Sequence, residues 1–302
     1  MIRHTKIRPL IGTAALFMSL SAGAQDNTNA APVAPGPVRI LKAETPVMVD
    51  SVLDEPCWQA AEAIRVEYAF GKPGVKATTL PGTVRFAWDD NYLYVGYETF
   101  DTNLRASGNG LLKGPQGNQR EGCELGGSND VVEICISFND PNFFWEVQHN
   151  ALNNFSDIWV TVAPTNSPFY RSSRTSQGIY WSHKEYLDEG EWDYAQLERV
   201  ARPKPNKDGK PSTVNKSDDV DTGYVGEMRL PWKALGPPRE WLGNAGPHGQ
   251  TITLFCAVQN PDLPPGNYHT YPDLKMSGFF HTTAASWPRY LLVDPAKDKN
   301  QK

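Results

Sequence analysis

No apolar run beyond the first turn of this chain is long. From residue 38 onward the hydrophobic residues come in short stretches closed by Gly, Pro, Asn or Asp: "VRIL", "VMVD", "TVRFAW", "YLYVGYETF", "VVEICISF", "FFWEVQHN", "DIWVTVA", "LERVAR", "GYVGEMRLP", "TITLFCAVQ" and "RYLLVD". Runs of about four to eight residues rich in β-branched and aromatic side chains and bounded by turn formers predict strands rather than helices. Only "DEPCWQAAEA", with Asp54 as N-cap, and a turn at "PWKALG", entered by Pro and closed by Gly, read as helical. The pattern therefore predicts an all-β, antiparallel, jelly-roll-like β-sandwich, a single domain over residues 38–294 followed by a polar tail at 295–302.

What precedes the strands has a different character. Residues 1–24 carry Arg3, Lys6 and Arg8, then the apolar "LIGTAALFMSL", then "AGA" before Gln25, the order of a secretory signal. Export to a periplasmic or extracellular space follows as an expectation. Residues 25–37, "QDNTNAAPVAPGP", read as a flexible leader. No stretch approaches the roughly 18 apolar residues of a transmembrane helix. Removing the signal takes three basic residues from 29 and no acidic ones from 34, so the formal charge moves from -5 to -8 (26 against 34). That balance argues against nucleic acid as a partner, which needs a basic footprint.

Cys57, Cys123, Cys135 and Cys256 are an even set in an oxidising compartment, which permits two disulfides in any of three pairings. None has zinc-ligand spacing. Two segments break the strand rhythm. Residues 101–128 are rich in Gly and Asn and read as a functional loop, and the Pro/Lys/Asp-rich 201–222 as a solvated excursion.

Five phrases, in order, resemble family 9 carbohydrate-binding modules. "VDSVLDEPCWQAA" is similar to that family's opening Asp-x-x-x-Asp-x-x-x-Trp pattern, and "VRFAWDDNYLYVGYETFD" to its strand pair joined by an acidic turn. "NDVVEICISF", "GYVGEMRLPWKALG" and "FFHTTAASWPRYLLV" resemble its Asp-x-Val-Glu strand, its Glu-x-x-Ile-Pro-Trp strand and its closing strand, so that the likeness covers most of residues 45–293. The resemblance implies a β-sandwich that binds carbohydrate without catalysis. It also implies that Glu133, the glutamate of the Asp-x-Val-Glu strand, bonds sugar hydroxyls. Gly127 stands where those modules have one clamp tryptophan, and Phe279 and Phe280 stand near the place of the second.

Sugar recognition needs charged or amide groups on rigid strands beside flat apolar rings. Glu133, Trp145, Trp159, Trp181, Phe279 and His281 are the candidate carbohydrate-binding residues on that logic. Asp101 and Asp130 resemble loop positions near structural calcium in the family's members, and calcium takes carboxylate and carbonyl oxygens. Two other readings stay open. Met228 admits a haem- or other small-ligand-binding sandwich of the same fold, and Glu133, Glu146, Asp157 and Glu227 supply carboxylates for a glycoside-acting enzyme. The chain has neither a G-x-S-x-G elbow nor an H-E-x-x-H helix.

Overall fold

The computed structural model describes residues 37–107, 112–114, 117–119, 125, 129–162, 179–181, 198–238, 241, 246–274 and 284–298, of which 112–114, 117–119, 156–162 and 179–181 are described in backbone only. In chain order the strands are β1 (Val38–Leu41), β2 (Ile64–Val66), β3 (Tyr68–Ala69), β4 (Gly82–Trp88), β5 (Tyr92–Thr99), β6 (Leu112–Gly114), β7 (Gly117–Gln119) and β8 (Val131–Ser137). They continue with β9 (Phe143–Asn150), β10 (Phe155–Val162), β11 (Ile179–Trp181), β12 (Glu198–Pro203), β13 (Tyr224–Pro231), β14 (Thr251–Gln259), β15 (Tyr268–Tyr271) and β16 (Arg289–Val293). Three short helices are described: α1 (Pro56–Ala60), α2 (Trp232–Leu235) and α3 (Pro295–Asp298).

These strands form two sheets. The larger runs β1-β16-β14-β8-β9-β10-β7-β6, with β11 added at β10 and β15 and β3 branching from β14; the smaller runs β12-β13-β5-β4-β2. Most pairings are antiparallel, while β1 with β16 and β10 with β7 are parallel. Alternation on the strands puts one face of each sheet into a shared core. Val132, Ile134 and Ile136 from β8 meet Val84, Phe86, Val95 and Tyr97 from β4 and β5, all buried in one cluster. The all-β sandwich expected from the runs is thus the observed fold.

Two local expectations are corrected. Helix α1 begins one residue later than expected, with Glu55 rather than Asp54 as N-cap, because Pro56 supplies the fixed φ of the first helical position. The Glu55 carboxylate instead accepts the Met48 amide at 2.9 Å. The thiols of Cys57, Cys135 and Cys256 are free, so none of these three pairs with another. For Cys135 and Cys256 the register explains it: Cys256 lies opposite Ile134 and Cys135 opposite Phe255, which sends the two thiols to opposite faces of the sheet. Cys123 lies outside the described residues.

The segment before α1 is tied to the small sheet by one buried carboxylate. Glu227 on β13 accepts the amides of Asp50 and Ser51 and the Trp58 indole N–H, at 2.9, 2.6 and 2.9 Å. Burial nevertheless raises its carboxyl to about 7.

Candidate functional site

The face of the large sheet turned away from the core carries the polar chemistry. On β8, Glu133 and Cys135 alternate with the core-facing Val132, Ile134 and Ile136, and on β9 Glu146 and Gln148 alternate with Trp145 and Val147. Register then sets the neighbours, since Glu133 lies opposite Gln148 and Cys135 opposite Glu146. Across β14, Glu133 meets Ala257 and Cys135 meets Phe255.

Hydrogen bonds join these neighbours. The Gln148 amide nitrogen donates to Glu146 Oε1 at 2.7 Å and to Glu133 Oε2 at 3.2 Å. The Tyr268 hydroxyl on β15 donates to Glu133 Oε1 at 2.8 Å. Phe255 stacks on Trp287 with centroids 5.1 Å apart, Phe144 meets Trp287 edge-on at 4.9 Å, and Phe70 meets Tyr268 edge-on at 5.5 Å. Two carboxylates bridged by an amide, beside flat rings, is the mixture of acceptors and apolar faces that suits hydroxyl-rich ligands. Glu133 is only 5% exposed. From the Gly-rich segment, the Leu125 amide donates to Gln148 Oε1, so part of that segment reaches the cluster.

One ligand atom each from Glu133, Cys135 and Glu146 lie within 4.8 Å of one another. Burial, reinforced by the charges of Glu146 and Glu133, pushes the Cys135 thiol well above its ordinary range.

The sequence-derived candidates separate on the structure. Glu133 sits in the cluster. Trp145 does not: it points to the opposite face of β9, is buried in the core, and donates its indole N–H to the Leu235 carbonyl at 2.9 Å. Alternation within "FFWEVQHN" makes this unavoidable once Glu146 faces outward. Trp159 and Trp181 occupy adjoining strands, with Val160 opposite Trp181, and their side chains lie outside the described residues, as do Phe279 and His281 altogether. Gln148 and Tyr268 were missed by sequence reasoning. The first was findable, because it lies two residues beyond Glu146 and shares its face.

Met228 is 1% exposed within the inter-sheet core, where a haem iron has no access. Glu227 belongs to the other sheet and is committed to three donors, so it does not pair with Glu133 as a second catalytic carboxylate. Asp157 lies on β10, opposite Val147, and its side chain is outside the described residues.

Asp101 and Asp130 do come together, and a third carboxylate joins them. Asp101 Oδ1 accepts the Asn103 amide at 2.9 Å, Asp221 Oδ2 accepts the Leu104 amide at 2.7 Å, and Asp130 accepts the Arg105 amide. The second oxygen of each is buried; Asp101 and Asp130 hydrogen-bond each other, carboxyl to carboxylate, and Asp221 Oδ1 has no hydrogen-bond partner among the described residues. Burial and then the Asp101 charge raise Asp130 to about 9. Asp101 is raised as well, first by its own burial. Three buried carboxylates brought together offer the oxygen ligands that a hard cation such as calcium takes. Asp221 also corrects the reading of 201–222 as wholly solvated, since it is 0% exposed.

Residues 49–150 match the family model described as "Carbohydrate family 9 binding domain-like". The likeness to that family's model thus covers about a third of the chain. The matched segment contains Glu133, Glu146, Gln148, Asp101 and Asp130, whereas Glu227, Asp221 and Tyr268 lie beyond it. No curated protein matches the chain. Among solved structures, the chain is similar to a family 9 carbohydrate-binding module from Caldicellulosiruptor kristjanssonii in complex with cellotriose, at 14% identity and TM-score 0.45, covering 85% of this chain and 94% of that one. The same module in complex with glucose gives 14% identity and TM-score 0.46, over 85% and 96%. A putative carbohydrate-binding protein from Bacteroides uniformis gives 12% identity and TM-score 0.48, over 84% and 96%.

Proposed function

We propose that this chain is an exported, non-catalytic carbohydrate-binding domain whose ligand contacts are made on the Glu133 face of the large sheet. The observation that carries the reading is the bridged row Glu133–Gln148–Glu146, on strands within the family 9-like segment, beside the Phe144 ring of that segment and the Phe255, Trp287 and Tyr268 rings that lie beyond it. A glycan array spanning plant, algal and bacterial polysaccharides tests the reading. Binding to at least one class, weakened about tenfold or more in Glu133→Gln, is the expected result, since one charge-assisted hydrogen bond contributes roughly 1.5–3 kcal/mol. A blank array, or binding indifferent to Glu133→Gln with the fold intact, counts against it.

In the same reading Asp101, Asp130 and Asp221 hold a structural calcium. The convergence of three buried carboxylates is the support. A cation bound only by the folded state at 100 times its Kd adds about 2.7 kcal/mol. Calcium is therefore expected to raise the melting temperature and a chelator to lower it, with Asp221→Asn abolishing the difference. A melting temperature unmoved by either reagent sinks the calcium site while leaving the sugar reading in place.

A further inference from the structure

Gln148 lies at the centre of the Glu133 face with no amide hydrogen left for a ligand. It is 3% exposed. The two hydrogens on its nitrogen serve Glu146 Oε1 at 2.7 Å and Glu133 Oε2 at 3.2 Å, and its carbonyl oxygen accepts the Leu125 amide. Three contacts fix which way this amide points. An ionised carboxylate only accepts and a backbone N–H only donates, so turning the amide over would set its oxygen against two carboxylates and its nitrogen against an N–H. The Leu125 peptide is held from its other side as well, because its carbonyl accepts the Asn129 side-chain amide.

Register makes position 148 the natural bridge. Glu133 lies directly opposite Gln148 across the β8–β9 ladder, and Glu146 lies two residues before it on the same face of β9. The two glutamates are therefore diagonal neighbours, close enough to repel when both are ionised. An amide between them gives a donor to each and holds them at a set separation. Glu133 is fixed at its other oxygen too, where the Tyr268 hydroxyl donates to Oε1 at 2.8 Å. Gln148 and Tyr268 thus approach this carboxylate from its two oxygens, which sets its plane.

We propose that Gln148 is a positioning residue for carbohydrate recognition: it sets the separation and orientation of the Glu133 and Glu146 carboxylates, to which sugar hydroxyls donate, and makes no sugar contact of its own. The proposal rests on the carbohydrate-binding reading of the Glu133 face and names the residue on which the geometry of that face depends. Wild type, Glu133→Gln, Gln148→Met and Gln148→Glu are compared by calorimetric titration with cellobiose, xylobiose, mannobiose and laminaribiose at about pH 5.5, 7.5 and 9. Circular dichroism confirms the fold of each protein at each pH. Gln148→Met keeps the length of the side chain without its donors, and guards against a Gln148→Glu that fails to fold. Gln148→Glu keeps the shape, has no donor when ionised, and regains one hydroxyl donor when protonated. The other titratable neighbours, Cys135 on β8 and Tyr268 on β15, are pushed well above their ordinary values by burial and then by the nearby glutamates. Over this pH range the comparison therefore reads the carboxyl groups of the face.

Gln148→Met should bind at least tenfold more weakly than wild type at every pH. Gln148→Glu should be at least tenfold weaker at pH 9, with the gap to wild type closing as the pH falls. A space-filling role would give Gln148→Glu a deficit that is constant with pH, and that result overturns the proposal. Both Gln148 variants binding like wild type, with Glu133→Gln weakened, overturns the positioning role and leaves the Glu133 reading standing. Weakened Gln148 variants beside an unaffected Glu133→Gln overturn both. Silence of the wild type toward all four disaccharides overturns the positioning role, whereas the Glu133 reading is judged on the polysaccharide array.

Discussion

Lowering the pH from 6.5 to 4.5 is expected to cost the folded protein about 2.3 kcal/mol through His149 alone, the slope approaching about 1.36 kcal/mol per pH unit below 6.5. His149 on β9 is fully buried. Its Nδ1 accepts the Tyr97 hydroxyl at 2.7 Å, and its Nε2–H donates to Asn153 Oδ1 at 2.7 Å. That oxygen also receives the Ala201 amide at 3.2 Å, so the ring sits in a finished network with no acceptor for a second proton. Burial, and then the nearby Arg199 charge, depress its pKa to about 3.

The sign follows directly. The unfolded chain binds a proton near pH 6.5 and the folded one does not, so this stability is complete above about 6.5 and lost progressively toward pH 3. His269 adds to the acid loss in the same direction: burial lowers it to about 4, and neither ring nitrogen has a partner among the described residues. Glu227, raised to about 7, works oppositely, because the folded state holds its proton more tightly. The measurement that isolates His149 is therefore a difference. Urea unfolding at several pH values should show His149→Gln less stable than wild type at pH 7 and losing one proton's worth of slope below 6.5. Parallel slopes for the two proteins would remove the assignment of His149 as a buried neutral ring.

The second large effect comes from the same network, reached from the other sheet. Gly226 on β13 lies directly opposite Tyr97 on β5, and the phenol end of that ring reaches over it. A Cβ at Gly226 would sit 2.2 Å from the Tyr97 hydroxyl oxygen and 2.2 Å from the ring carbon that bears it. Gly226→Ala must push the ring aside, at about 1–3 kcal/mol for overpacking, and break its bond to His149, at roughly another 1–3 kcal/mol for the group left unsatisfied. A loss of about 3–5 kcal/mol in chemical denaturation is expected. Pairing it with Tyr97→Phe checks the mechanism, since Phe removes the hydroxyl that the new methyl meets. The double variant should fall short of the sum of the singles, whereas plain additivity would mean that the two residues do not interact.

Much of this was legible in the sequence, and the boundary of legibility has a physical cause. Alternation in "VVEICISF" places Glu133 and Cys135 on one face and the apolar residues on the other, as found. The same alternation, applied to "FFWEVQHN", separates Trp145 from Glu146 and would have withdrawn Trp145 from the sugar candidates. Register is different, because a strand's sequence does not state which neighbour it will meet, and a shift of one residue exchanges faces. The bridge from Gln148 to both glutamates and the reach of Tyr268 are products of register. Asp221 was hidden for a related reason: "KSDDVDT" reads as a polar loop, and only its return to Thr102 and Leu104 buries it beside Asp101 and Asp130.

The parallel pairing of β1 with β16, with Val38 beside Tyr290 and Leu41 beside Val293, has a mechanical corollary. The chain enters the sandwich at one end of this edge and leaves it at the other, both strands running the same way. Tension between those two ends slides the strands along each other, loading their hydrogen bonds together instead of peeling them one at a time. A domain loaded in this way resists being pulled open along that edge.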